Sequence, residues 1–134
     1  MAQARKPTLR VVRSPAPIYQ LRIELCYTDP VIWRQLLVPG SLKLSRLHAV
    51  LQVVMGWEGG HLHEFVIGDT RYGEPDPDFS SDLPCVDETK VTLAKALGAR
   101  KSFIYLYDYG DDWEHRVKVE KVLPPDMDLP WPLC

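Results

Sequence analysis

Apolar and polar residues alternate from Tyr19 to Tyr27. Tyr19, Leu21, Ile23, Leu25 and Tyr27 point one way; Gln20, Arg22, Glu24 and Cys26 point the other. This is the pattern of a strand buried on one face and solvated on the other, common in antiparallel sheets. Asp29-Pro30 breaks it with a turn, and Val31 to Val38 reads as a second strand ended by Pro39-Gly40, so the two predict a hairpin. The period then changes. Leu47, Val50, Leu51 and Val54 recur at helical spacing with Met55 alongside, behind a capping Ser45 and ahead of a stopping Gly56. They predict a helix over 46–55.

Beyond it, a strand is predicted at 62–67. Residues 68–88 are acidic, carry Pro75, Pro77 and Pro84, and read as a long surface excursion. Thr92 caps a short helix from Leu93 to Leu97, stopped by Gly98. Strands follow at 102–109 and 113–122, joined by a Gly110-Asp111-Asp112 turn, and Leu123 to Cys134 carries four prolines. The order β-β-α-β-loop-α-β-β lacks regular βαβ crossovers. It predicts an α+β fold, a mostly antiparallel sheet with helices packed on one face, in a single domain. The expected divisions are a flexible basic leader at 1–17, the α+β domain at 18–125 and an extended proline-rich tail at 126–134.

Composition narrows the setting. The 134 residues suit one domain, and no apolar run approaches the roughly 18 residues of a membrane span. Cys26, Cys85 and Cys134 have no CxxC spacing, which argues against a cysteine zinc site and for a cytoplasmic location. Net charge is −2. Arg5, Lys6, Arg10, Arg13 and Arg22 make the first 22 residues basic, whereas residues 58–88 hold nine acids against Arg71. Nucleic-acid contact is therefore expected to be weak and confined to the leader.

The chemistry concentrates in HLHEF at 61–65 and YDYGDDWEHRV at 107–117. Period two puts His63 with Phe65 and Ile67, Asp108 with Ile104 and Leu106, and His115 with Trp113, Val117 and Val119. Buried ionisable groups are costly unless paired or ligated. His61, His63, Asp108, Asp111 and His115 are therefore expected to form a polar cluster, with His63 and Asp108 hydrogen-bonded across adjacent strands. A metal is the alternative. The two imidazoles of an HxH strand lie about 7 Å apart, from two rises of roughly 3.4 Å. His61, His63, Asp108 and His115 would then hold zinc or another divalent ion; otherwise no cofactor is expected. Asp111 and Asp112, with Glu114 close by, also fit plain turn chemistry. Tyr105, Tyr107 and Tyr109 form a stripe suited to packing or a partner, and Trp33, Trp57 and Trp113 are expected core anchors. No Gly-x-Ser-x-Gly elbow, glycine-rich phosphate loop or HExxH is present.

Four segments in order, IWR at 32–34, LSRLHAVLQVVMGW at 44–57, HLHEF and YDYGDDWEHRV, make the chain resemble the plasmid pRiA4b ORF-3-like family. The resemblance covers about Tyr19 to Pro125. It implies a small α+β protein of bacteria or archaea, carried on chromosomes, plasmids or insertion elements, with no established biochemical function. Members continue with a cysteine-containing stretch, a Pro-Pro-Glu-Asp-x-Gly-Gly motif and a final helix. The chain is expected to lack that segment after Cys134. Some members carry a resolvase-like label, but no serine nucleophile with arginine neighbours and no helix-turn-helix is visible here. Three readings stand at this point. The first is a non-enzymatic interaction or accessory module of plasmids or mobile elements, with an unknown protein partner. The second is a metal-binding protein or metal-dependent hydrolase built on the two motifs. The third is a DNA-binding transposition accessory acting through the leader.

Overall fold

The alternation at Tyr19–Tyr27 becomes β1, Ile18–Leu25, in a computed structural model that describes residues 16–57, 62–74, 85–107 and 113–125. β1 pairs antiparallel with β2, Ile32–Pro39, over its whole length. On its other side lies β7, Trp113–Leu123, also antiparallel, with a register shift between Gln20 and Leu21. β7 pairs with β6 (Ser102–Tyr107), β6 with β3 (His63–Ile67), and β3 with β4 (Thr70–Gly73), all antiparallel. β5, Cys85–Asp87, closes the sheet parallel to β4. The order is β2-β1-β7-β6-β3-β4-β5.

This corrects the expected α+β class. The protein is mainly β, built on a seven-stranded mixed sheet. Among the described residues, α1, Leu44–Met55, is the one helix of substantial length; α2, Leu93–Leu97, is little more than a turn. The difference arises in the stretch read as a surface excursion, which supplies β4, β5 and a 3-10 turn at Glu88–Lys90. Strands of four and three residues are too short for alternation to show.

The buried face of the sheet carries Leu21, Ile23, Leu36, Val38, Phe65, Ile67, Phe103, Tyr105 and Val117. Against them pack Leu44, Leu47 and Leu51 of α1 and Leu93 and Leu97 of α2. On β6 the buried side is Phe103, Tyr105 and Tyr107; Ile104 and Leu106 are half-buried. The face to which the sequence reading assigned Asp108 is therefore the outer one. Trp33 also departs from expectation. It is 44% exposed on the edge strand, with the Arg22 guanidinium 4.1 Å from its ring centroid. Three exposed aliphatic or aromatic neighbours share that end of the sheet: Tyr27, Val31 and Ile32.

Helix entry differs from the capping expected of Ser45, which lies inside α1. The N-cap is Lys43, without a side-chain bond. The main chain does the work instead: Leu44 N donates to Val91 O, and Leu93 N to Leu42 O, at 3.0 and 2.8 Å. At the other end Gly56 takes φ 78°, and Trp57 N reaches back to Gln52 O at 2.8 Å. Glycine suits this left-handed C-terminal position because it has no Cβ to clash. Thr92 caps α2 as expected, its hydroxyl accepting from Lys95 N. No helix among the described residues is long and apolar enough to cross a membrane.

Because Leu51 is fully buried and Val53 on the same helix is 81% exposed, the two positions should respond differently to truncation. Leu51→Ala is expected to cost about 2–5 kcal/mol, and Val53→Ala to stay within about 0.5 kcal/mol. Urea melts of the two variants check this.

Candidate metal centre

The registers of three adjacent strands build the site. Phe65 pairs with Tyr72 between β3 and β4, so the antiparallel register carried two residues further sets Glu74 opposite His63. Gly73 pairs with Asp87 between β4 and β5, so the parallel register carried one step further sets Glu88 beside Glu74. One ligand atom each from His63, Glu74 and Glu88 then lies within 4.8 Å of the other two. His63 Nε2 sits 2.8 and 3.0 Å from the two carboxylate oxygens of Glu88. Both residues of this pair are buried, at 5% and 3% exposure, whereas Glu74 is open to solvent. Asp87 secures the turn that presents Glu88, its carboxylate accepting from the N–H and hydroxyl of Thr89. Those two bonds hold the Asp87 carboxyl below its usual value. Glu64, next to His63 in sequence, is itself paired with Arg71 through several hydrogen bonds.

Helix α1 supplies a second wall. His48 and Gln52, one turn apart, face the sheet beside Leu44 and Leu51. The His48 ring stacks on His63 with centroids 3.4 Å apart and planes within 6°. His48 Nδ1 lies 2.6 Å from the Tyr105 hydroxyl, and Gln52 Nε2 donates to that hydroxyl at 2.8 Å. The phenol has one proton. Accepting from Gln52, it has that proton to give to His48 Nδ1, an arrangement that matches a neutral His48 with its hydrogen on Nε2. Burial, followed by the charge of His63, pushes the His48 pKa down to about 4, against a smaller opposing pull from Glu88. Burial likewise raises the Tyr105 phenol above its ordinary value. Gln52 Oε1 is buried and has no hydrogen-bond partner among the described residues.

His115 lies on the other side of Tyr105, its ring centroid 5.2 Å away. The Trp57 indole N–H donates to its Nε2 at 3.0 Å, so Nδ1 carries the proton and donates to the Tyr105 carbonyl at 3.1 Å. Burial lowers its pKa. Both ring nitrogens are engaged, and in this arrangement His115 has no lone pair to offer a metal.

Of the residues singled out from the sequence, His63 and His115 are thus buried and hydrogen-bonded. His61, Asp108 and Asp111 lie outside the described residues, and so does the expected contact between His63 and Asp108. The described carboxylate partner of His63 is Glu88. Sequence reasoning missed Glu74 and Glu88 because both fall in the stretch taken as a surface excursion. It also missed His48 and Gln52, although they follow Leu44 at i+4 and i+8 on one helix face.

Fold and site together define a mainly β domain with a buried His–Glu pair beneath helix α1. The chain belongs to the plasmid pRiA4b ORF-3-like protein family, whose model matches residues 17–134. It is 44% identical over 112 residues to the uncharacterized protein y4hQ of Sinorhizobium fredii (strain NBRC 101917 / NGR234). That match covers 81% of this chain and 56% of the relative, so the chain spans little more than half the relative's length. The fold is similar to the crystal structure of a protein of unknown function, MM3350, from Methanosarcina mazei Go1. The TM-score is 0.80 at 32% identity, covering 90% of this chain and 69% of that one.

The neutral histidines make a pH prediction. An unfolded histidine takes up a proton near pH 6.5, whereas folded His48 and His115 resist protonation. Below that pH the unfolded chain binds more protons, so acid removes stability. The loss is at most about 1.4 kcal/mol per pH unit for each imidazole kept neutral, and less for half-exposed His48, which solvent screens. Urea melts at pH 7.5, 6.5 and 5.5 should show falling stability, and the His48 ring resonances should remain those of neutral imidazole at pH 5.5. Stability that is level or rising toward acid contradicts the assignment.

Proposed function

We propose that this protein binds a divalent metal ion through His63, Glu74 and Glu88. The observation that carries the reading is the convergence of two carboxylates and one imidazole within 4.8 Å of one another. Even with His63 protonated, two ionised carboxylates leave the group with a charge of −1. Like charges this close are unfavourable unless a proton or a cation sits among them. A divalent ion compensates both carboxylates at once and replaces the proton on His63 Nε2. A mixed nitrogen and oxygen set suits zinc, manganese or iron(II). Three protein ligands leave at least one position for water or another ligand. Of the ligand set read from the sequence, this one retains His63 and adds Glu74 and Glu88; His115 has both ring nitrogens engaged, and His61 and Asp108 lie outside the described residues. A role as a plasmid or mobile-element accessory is the wider setting of the proposal, and its support is the family's name alone.

Calorimetric titration of the full chain with zinc and with manganese, together with melts in the presence and absence of a chelator, tests the reading. Metal at 100 times its Kd should stabilise the fold by about 2.7 kcal/mol, and the chelator should remove that gain. Glu88→Gln and His63→Gln should abolish the metal-dependent shift, and Glu74→Gln should weaken it. A wild-type melt indifferent to both metals and to chelator overturns the proposal.

The metal-free protein gives a separate expectation for the buried pair. Glu88→Ala removes the buried carboxylate of the His63–Glu88 pair, and breaking a buried charged pair costs about 3–5 kcal/mol. A cost under about 1 kcal/mol, typical of exposed pairs, would mean that the pair is solvated.

A further inference from the structure

Resting on the metal reading, we infer that His48 is a positioning residue for the metal centre. It holds the His63 ring in the plane that aims Nε2 at the carboxylates, while Tyr105 and Gln52 hold His48. The geometry has three parts. The imidazoles of His48 and His63 are 3.4 Å apart and within 6° of parallel, so rotation of the His63 ring about its Cβ–Cγ bond would drive it into His48. His48 cannot swing away without losing its 2.6 Å bond to the Tyr105 hydroxyl. Tyr105 is fully buried and accepts from Gln52 on the same helix as His48, which closes a small triangle between α1 and β6.

The choice of residues supports positioning over packing. An apolar side chain would fill the space above His63 without the cost of burying polar atoms. Here three buried or half-buried polar side chains are devoted to one orientation. Groups that hydrogen-bond a metal ligand commonly fix its ring orientation, and losing them typically lowers metal affinity 10–100-fold; here a stacked ring would do the same by contact. Precision matters most for His63, the nitrogen donor of the set, because an imidazole ligates along one in-plane direction. A carboxylate tolerates several.

Cobalt(II) alone is a suitable probe, since its absorption reports ligand number and geometry. The full-length protein is titrated as wild type, His48→Ala, His48→Leu, His48→Phe and Tyr105→Phe, with far-UV circular dichroism and a metal-free melt for each. The wild type should give a saturable cobalt spectrum. His48→Ala and His48→Leu should weaken binding by about 10-fold or more and alter the spectrum. His48→Phe, which keeps a flat ring on His63, should restore most of the affinity, and Tyr105→Phe should fall between. Should His48→Ala fail to fold, His48→Leu, which keeps the bulk but not the plane, carries the comparison.

Wild-type affinity in His48→Leu overturns the inference, even where metal-free stability drops, because that pattern is packing alone. A His48→Phe as weak as His48→Leu overturns it too. A wild type that binds no cobalt removes the metal reading and this inference with it, an outcome distinct from a binding wild type with indifferent variants.

Discussion

The register of β3 is the constraint on which the rest of the site depends. Side chains alternate along a strand, so a slip of one residue would send His63, Phe65 and Ile67 to the outer face and bring Glu64 and Val66 inside. Phe65 and Ile67 prevent this. Both are essentially fully buried against Phe103, Tyr105 and the helix layer, and each stabilises the native register by about 1.5–3 kcal/mol. The His63–Glu88 pair contributes far less certainty of placement, since the cost of desolvating two charges nearly offsets their attraction. Apolar burial therefore sets the register, and the register aligns His63 with Glu74 and Glu88. The polar cluster is a consequence of hydrophobic packing two residues away.

Helix α1 is held by the same kind of force. Leu44, Leu47 and Leu51 seat it on the sheet, and the main-chain bonds between Leu42–Leu44 and Val91–Leu93 fix where it begins. His48 lies between Leu47 and Leu51, and Gln52 directly follows Leu51, so the apolar contacts dictate how far they project over β3 and β6. This explains how a half-buried imidazole comes to lie 3.4 Å from another. Neither ring needs to attract the other strongly, because the helix and the strand are already placed. Keeping His48 neutral then avoids the repulsion that two stacked cations would feel.

Much of the sheet was legible in the sequence. Tyr19–Leu25 and the long last strand announce themselves by alternation, the hairpin to Pro39 by the turn signals at Asp29-Pro30 and Pro39-Gly40, and Leu47, Leu51 and Gly56 mark the helix. Three things were not legible, each for a physical reason. β4 and β5 are shorter than the window in which period two can be seen, and with them the fold class was lost. On β6 both faces are rich in large residues. Phe103, Tyr105 and Tyr107 compete with Ile104 and Leu106, and pattern alone cannot say which set is buried. Trp33 belongs to an edge strand that runs past the core, where a large aromatic finds Arg22 instead of a buried partner. Half of the site was legible as a clue: the HxH motif and the buried-reading His115 drew attention to the right face. The carboxylates escaped because Glu74 and Glu88 meet through a parallel pairing of two brief strands, a contact with no local signature.

The two buried histidines of the sheet show how similar sequence signals separate into different roles. His115 is closed. A pure donor, the Trp57 indole, occupies one nitrogen, and a pure acceptor, the Tyr105 carbonyl, occupies the other. A protonated ring would lose the indole bond, and a metal would have to break one of the two. Such a residue is suited to joining α1, β6 and β7 into one core. His63 is different. Its partner is a carboxylate, which can face either a protonated ring or a metal-bound one, and a second carboxylate stands within reach at the solvent edge. Behind it, Tyr105 and Gln52 hold the His48 ring in place. Burial alone marks both histidines equally. The polarity of their partners tells them apart, because a ring bonded at both nitrogens has no lone pair to offer a metal. A group facing excess negative charge can still take a cation.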